Sequence, residues 1–365
     1  MSSEIAVCSW NEWDPLQEVI VGSARGAADM GYEPAMSPYH PAEDIGGRSF
    51  SGRPAVPGLI GEAERQLDAF AELLEKRGIT VRRPDPADHT IPVKTPDWEI
   101  EFGLVNACPR DLLLVIGDEI IEAPMARRAR FFEYRAYRRL IAEYFRNGAR
   151  WTAVPKPLMR DELYDERVRL GEGPFDFKAT PLLTEIEPAF DAASFMRFGR
   201  DIFWQPDLVS NQFGADWLQR HLGSGFRVHR IEFAEPYPTH IDTTLVPIRP
   251  GLVLINPQRP CTDGSLKLFA ANGWRTVEAP PSVRSGRSNP EVSNWISMNI
   301  LMLDERTAVV EAAEKPTIEL LESLGCDVIP CAFDRVYPFG GSFHCCTTDI
   351  RRVGTLRSYF PSLGQ

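Results

Sequence analysis

The sequence predicts an α/β fold built as one domain, and three observations carry the prediction. Short apolar runs alternate with amphipathic helical stretches along the chain. Four segments repeat a turn, a short buried strand and then polar residues: Arg110-Asp111-LLLVIG, Arg200-Asp201-IFWQ, Pro250-Gly251-LVLINP and Arg306-Thr307-AVVEA. That recurrence, although unequal in period, suggests βαβ-type modules arranged around an axis. Finally, the 365 residues contain no low-complexity tract and no obvious interdomain linker. A length of about 150 residues per domain would allow two or three domains; without a linker, residues 1–365 read as one.

Taken in order, Leu16 to Gly22 (LQEVIVG) reads as a strand. Gly61 to Arg77 reads as a helix whose apolar positions Leu67, Phe70, Leu73 and Leu74 recur at helical spacing, with Gly78 placed to cap it. Ile79 to Arg83 follows as a strand. Asp111 to Ile121 reads as two buried strands hinged at Gly117-Asp118. Ala126 to Arg146 reads as a second helix, closed by Asn147-Gly148. Its arginines (Arg127, Arg128, Arg130, Arg135, Arg138, Arg139) are those of a solvated or salt-bridged face rather than of a nucleic-acid surface. Arg25 to Gly58, Pro155 to Phe177 and Pro280 to Ser293 read as long loops, rich in Pro, Gly, Ser or charge. Loops of that length are lids or disordered segments.

Composition narrows the function. Hydrophobic residues make up 43% and charged residues 25%, which is globular. Lys plus Arg number 40 against 51 Asp plus Glu, a formal net charge of −11. Such a surface attracts neither a phosphate backbone nor an anionic leaflet, so no nucleic-acid or membrane partner is expected. No stretch approaches the ~18 consecutive apolar residues of a membrane helix, and Met1 to Asn11 lacks the basic and apolar regions of a secretory signal. The seven cysteines are odd in number and form no CxxC pair. They are expected as free thiols of a reducing compartment, the cytoplasm, with neither a disulfide framework nor a zinc site. No phosphate-binding glycine loop, GxSxG or HExxH occurs, so neither a cofactor nor a metal is expected.

Four elements carry candidate chemistry. The first is Phe339-Gly-Gly-Ser-Phe-His344-Cys345-Cys346-Thr347-Thr348-Asp349. Its β-prone residues place the cysteines at the start of a strand, where neighbours face opposite ways, so Cys345 needs a base from elsewhere. A buried cysteine is by default a small hydrophobe. The second is Thr239-His240-Ile241-Asp242, which on a strand puts His240 and Asp242 on one face and Ile241 in the core. Histidine is suited to moving a proton near neutrality, and a carboxylate beside it to gripping a cation. The third is Asp191, in the apolar setting Pro188-Ala-Phe-Asp191-Ala-Ala, an acid that could orient an imidazole. The fourth is Asp111, at the mouth of the LLLVIG strand. Each alone is more commonly structural.

In combination these elements resemble the arginine:glycine amidinotransferases and their relatives, including the inosamine-phosphate amidinotransferases, of the pentein superfamily. The resemblance runs from Asn11-Glu-Trp-Asp-Pro-Leu to Thr355-Leu, through Thr95-Pro-Asp-Trp-Glu, Pro109-Arg-Asp111, Glu119-Ile-Ile-Glu-Ala-Pro-Met-Ala, Phe131-Phe-Glu-Tyr-Arg-Ala-Tyr, Phe190-Asp191-Ala-Ala, His240-Ile-Asp242, Asn256-Pro-Gln-Arg259, Trp295-Ile-Ser-Met-Asn and Gly340-Gly-Ser-Phe-His-Cys345.

The resemblance implies a five-bladed pseudosymmetric α/β propeller of ββαβ-type modules with its site in a central channel. It implies Cys345 as nucleophile, His240 as acid/base and Asp191 as third member of a triad. It further implies Asp111 and Asp242 as the grip on a guanidinium, and Arg259 as the partner of an amino-acid carboxylate, with Ser293 carrying over beside it. The expected reaction is transfer of the amidino group of L-arginine to an amine, glycine or a larger one, through an amidino-Cys345 intermediate with release of ornithine. A hydrolase making citrulline and an inactive arginine-binding protein are the alternatives. Thr239, Val292 and Cys346 depart from the glycine enzymes at or near the expected acceptor side. The partners are therefore small molecules; the acceptor and the oligomeric state, for which a homodimer is one option, are left open.

Overall fold

Most strand-forming runs among the described residues fold as part of a three-stranded sheet with the same internal plan. In the computed structural model, which describes residues 6–29, 34–35, 53–169, 181–234, 239–283 and 293–363, five such sheets occur among the described residues. In every one the first strand runs antiparallel to the middle strand, and the middle strand runs parallel to the third. A parallel neighbour cannot be reached by a tight turn, so a helix carries the chain across.

The second module comprises strands Leu113–Ile116 and Glu119–Glu122, helix Arg138–Arg146 and strand Arg150–Ala153. The third comprises Phe195–Phe198, Asp201–Trp204, helix Gln212–Leu222 and Arg227–Arg230. The fourth comprises Leu245–Arg249, Leu252–Ile255, helix Ser265–Ala271 and Arg275–Glu278. The fifth comprises Leu301–Met302, Thr307–Glu311, helix Lys315–Ser323 and Asp327–Cys331. The first module is assembled from both ends: Leu16–Val21, helix Pro57–Glu75 and Thr80–Arg82 take their antiparallel strand, Thr347–Arg352, from the C-terminal region. The internal echo is thus real, with one shift. IFWQ, LVLINP and AVVEA lie in middle strands, whereas LLLVIG is a first strand.

Neighbouring modules share apolar clusters, and the sharing closes on itself. Leu114 and Ile120 pack with Phe195 and Trp204, and Ile20 and Ile350 join them from the first module. Phe198 and Phe203 pack with Leu245 and Val253. Val246 and Leu254 pack with Ala308 and Val310. Leu301 and Val309 pack with Val19 and Val21.

Local expectations hold unevenly. The first helix begins at Pro57, four residues before the expected Gly61, because proline suits a first helical turn. It buries Leu67, Phe70 and Leu74, each contributing roughly 1.5–3 kcal/mol relative to exposure, and Gly78 beyond its end takes φ +81°. The Gly117-Asp118 hairpin is present; Gly117 has φ +61°, and the Trp10 ring lies where a Cβ would stand.

The helix expected over Ala126–Arg146 does not form as one. Its α-helix starts only at Arg138, after 3-10 turns at Arg128–Arg130 and Glu133–Tyr137. Tertiary demand overrides propensity here, since Arg130 is drawn into a buried ion-pair cluster. Of the expected loops, Pro155 to Phe177 contains a 3-10 turn at Asp161–Leu163 and a helical turn at Glu166–Arg169. Arg25 to Gly58 contains a two-residue ladder pairing Ala28–Asp29 with Arg53–Pro54. Most of Arg25 to Gly58 and of Pro280 to Ser293 lies outside the described residues. All seven cysteines are free, and no helix among the described residues is long and apolar enough to cross a membrane.

Candidate active site

Each module contributes to a buried polar cluster from the turn just before its first strand, the fourth with two side chains. Asp111 lies in the helical turn Pro109–Leu112 of the second module. Asp191 directly precedes the 3-10 turn Ala192–Ser194 of the third. His240 directly precedes, and Asp242 lies in, the 3-10 turn Ile241–Thr243 of the fourth. Asn299 follows the 3-10 turn Ile296–Met298 of the fifth. Cys345 sits in the turn before Thr347–Arg352 of the first.

The Cys345 turn differs from expectation. Cys346 N–H donates to the Ser342 carbonyl at 2.8 Å, so residues 342–346 make a helical turn and the strand starts only at Thr347. Strand alternation therefore does not separate the two thiols; in a helical turn, successive side chains are splayed by about 100°. Cys346 is fully buried with its sulfur 4.0 Å from that of Cys108, in the apolar cluster that holds Phe339 and Phe343. The Cys345 sulfur instead reaches Asp242 Oδ2 at 3.2 Å and Asn299 Nδ2 at 3.1 Å. Gly341 is required beneath this turn, because a Cβ there would collide with Cys345. His344 and Cys345 were expected to face apart, yet His344 Nδ1 meets the same Asp242 Oδ2 at 2.8 Å.

His240 and Asp242 do not lie on a strand either. His240 is extended (φ 168°, ψ 148°) and the 3-10 turn begins after it. Both side chains still reach the cluster while Ile241 is fully buried in the core. His240 Nε2 donates to Asp191 Oδ2 at 3.2 Å, and Nδ1 lies 3.7 Å from Asp111 Oδ1. One ligand atom each from Asp111, His240 and Cys345 lies within 4.8 Å of the others, a donor set that could also hold a metal ion.

Electrostatics set the protonation. Burial pulls the His240 pKa down, but Asp111 and then Asp191 and Asp242 outweigh it and raise it to about 9. Burial pushes the Asp191 and Asp242 carboxyls up, yet the hydrogen bond from His240 to Asp191 and that from His344 to Asp242 hold each below its ordinary value. Burial, then Asp242 and Asp111, push the Cys345 thiol well above its ordinary range. The resting pair is thus imidazolium and thiol.

Sequence reasoning missed Arg130. Its guanidinium is buried, donates to Asp111 Oδ2 at 2.6 Å, pairs with Glu133 at 2.9 Å and lies 3.7 Å from Asp191. Among the described residues Asp111 Oδ1 and Asp191 Oδ1 have no hydrogen-bond partner. Arg110 has a different task from its neighbour Asp111. It donates to the His344 carbonyl at 3.2 Å and pairs with Asp349 at 2.8 Å and Glu12 at 3.3 Å, holding the Cys345 turn. Arg197 ties the same Glu12 and Asp349 from the third module. Arg259 and Ser293 also meet. Arg259 Nη2 donates to Ser293 Oγ at 3.2 Å, while Nη1 donates to Thr243 Oγ1 at 2.8 Å, one residue beyond Asp242. Thr239 is partly buried, and Val292 lies outside the described residues.

No family model matches the chain. It is 47% identical over 366 residues to the mitochondrial glycine amidinotransferase of Gallus gallus, covering 98% of this chain and 85% of that one. The chain belongs to the amidinotransferase family. It is also 44% identical over 356 residues to the L-arginine:L-lysine amidinotransferase of Pseudomonas savastanoi pv. phaseolicola, covering 97% and 96% of the two chains. The solved inosamine-phosphate amidinotransferase of Streptomyces griseus superposes with a TM-score of 0.88 at 38% identity, over 98% of this chain and 100% of the other. A dimethylarginine dimethylaminohydrolase, at 13% identity and a TM-score of 0.57 over 91% of this chain and 98% of that one, shares the α/β fold alone. As an amidinotransferase, this protein is a transferase with a buried Asp–His–Cys cluster at the meeting of its modules.

Proposed function

We propose that the protein transfers the amidino group of L-arginine to a primary amine by ping-pong chemistry at Cys345. The observation that carries this reading is the convergence of Cys345, His240 and Asp191 with two further carboxylates, Asp111 and Asp242, in one buried cluster. Five modules that share cores in a closed order support a single five-bladed propeller domain with this cluster at its axis. The expected location remains the cytoplasm.

A planar cation suits Asp111 and Asp242, and its charge would offset the two acids that keep the thiol protonated. Arginine binding therefore releases the thiol proton to solvent. The thiolate adds to the guanidinium carbon, and the His240 imidazolium, oriented by Asp191, protonates the nitrogen that departs as the δ-amine of ornithine. The carbon is left bonded to sulfur as an amidino-cysteine. Neutral His240 then takes a proton from the incoming amine as that amine attacks the same carbon, and the sulfur leaves as thiolate. Arg259 supplies a fork suited to the carboxylate of an amino acid.

The acceptor side supports glycine or a larger amine. The family members above are named for glycine, lysine and inosamine phosphate, and Thr239 stands beside His240 where the glycine enzymes carry a larger Met. Cys346, by contrast, faces Cys108 in the core, so its substitution opens no acceptor space. Incubating guanidino-labelled arginine with a panel of amines and following label by mass spectrometry tests the reading. Labelled guanidino product with matching ornithine is expected. Citrulline without any acceptor would make the protein a hydrolase, and no turnover with any amine would make it a binding protein.

A further inference from the structure

We infer that Asn299 is a further catalytic residue, the amide that stabilises the Cys345 thiolate. The inference rests on the reading of Cys345 as nucleophile. Asn299 is 1% exposed and stands in the fifth module where the other modules place Asp111, Asp191, His240 and Cys345, between a turn and a first strand. Its side chain is orientated by the backbone of the Cys345 turn. Oδ1 accepts from Ser342 N–H at 3.1 Å and from Cys345 N–H at 3.0 Å. Two fixed donors demand an acceptor, so the oxygen must face them, and the NH₂ group is left pointing at the Cys345 sulfur, 3.1 Å away.

The charge balance around that sulfur gives the amide its role. Asp242 accepts from the thiol, and Asp111 adds a second negative charge nearby; both oppose a thiolate. Among the described residues, Asn299 Nδ2 is the hydrogen-bond donor aimed at the sulfur. A hydrogen bond to sulfur is strongest when the sulfur is charged. It therefore favours the thiolate that attacks arginine and the thiolate that leaves in the second half-reaction, and it weakens in the amidino-cysteine between them. The same side chain also fixes the turn, so the donor and the framework roles must be separated by experiment.

Asn299→Ser, too short to reach the sulfur, removes the donor without adding charge, whereas Asn299→Asp keeps the two backbone hydrogen bonds but replaces the donor by a further negative charge, so the two variants are compared. The measurement is the pH dependence of iodoacetamide alkylation at Cys345, mapped by peptide mass, which requires no turnover. The expected result is a midpoint raised by about one to two pH units, the scale of one hydrogen bond to a charged group. Discharge of amidino-Cys345 by an amine should slow by about tenfold or more, with the thermal midpoint within a few degrees of wild type. The alkylation shift is read in Asn299→Ser; in Asn299→Asp the midpoint should rise further, because the added carboxylate acts on top of the lost donor. A wild-type alkylation profile in whichever variant folds, even with a lowered melting temperature, would make Asn299 structural only and overturn the inference. Retained transfer in Cys345→Ser would instead remove the nucleophile reading, and the alkylation experiment would still report on the donor.

Discussion

Asp111, Asp191, Asp242 and Cys345 are each at most 3% exposed, whereas Thr239, Arg259 and Ser293 on the proposed acceptor side are only partly buried. The buried side is over-determined. Arg130 joins three acids, Arg110 and Arg197 share two more, and Asn299 pins the nucleophile turn. A substitution there strands a charge or a polar group out of water, which is costly. On the other side Arg259 donates to the hydroxyls of Thr243, Thr244 and Ser293 and to the Thr243 carbonyl. On the proposed reading, the chemistry lies where burial is greatest and acceptor selectivity where it is less.

The largest effect expected from breaking this contrast is at the nucleophile. Cys345→Ala should reduce transfer by on the order of 10⁴-fold or more, the scale of deleting a covalent nucleophile, while Cys346→Ala keeps most activity. Intact mass after arginine without acceptor should show an adduct of ~42 Da, the size of the group that covalent catalysis would leave, on wild type and not on Cys345→Ala. An adduct on Cys346 would reverse the assignment.

Next comes the charge at the centre of the buried side. Arg130→Met removes the guanidinium paired with Asp111 and Glu133 and near Asp191, and should destabilise the fold by roughly 3–5 kcal/mol, read by denaturant unfolding. The stranded carboxyls would hold protons more tightly, so KM for arginine should rise and partly recover as pH is raised. An unchanged KM would mean that Arg130 serves packing alone.

The pH profile is a smaller effect. His240 titrates near 9 in the folded protein against an ordinary value of 6.5. Its proton is therefore held through neutrality, and the stability it brings is complete below 6.5 and lost as pH rises through 9. The imidazolium needed to release ornithine disappears over the same upper limb, so kcat/KM for arginine should fall with a midpoint near 9. A fall centred near 6.5 would show that Asp111 and Asp191 do not raise the histidine.

The smallest effect lies on the partly buried side. Thr239→Met should narrow the acceptor range toward glycine by a few-fold to about tenfold, the scale of a few methylenes in a pocket, without altering the rate of adduct formation from arginine. An unchanged acceptor profile would place selectivity elsewhere.

The chain by itself determined the alternation of strands and helices and the echoed strand-and-turn runs, because hydrophobic period and turn chemistry act over a few residues. Cys345, His240, Asp191, Asp111 and Asp242 stood out there as candidate chemistry, and Arg259 and Ser293 were added by the family resemblance alone. The tertiary structure alone decided what each one touches. Asp191 and His240 are 49 residues apart and belong to different modules, as do Cys345 and Asn299, 46 apart. No local signal encodes such pairings. The packing of modules also put Cys345 in a helical turn despite its β-prone neighbours, and broke the Ala126–Arg146 helix to bury Arg130. In both places satisfying buried charge and backbone outweighs intrinsic propensity, and that balance exists only once the modules have met.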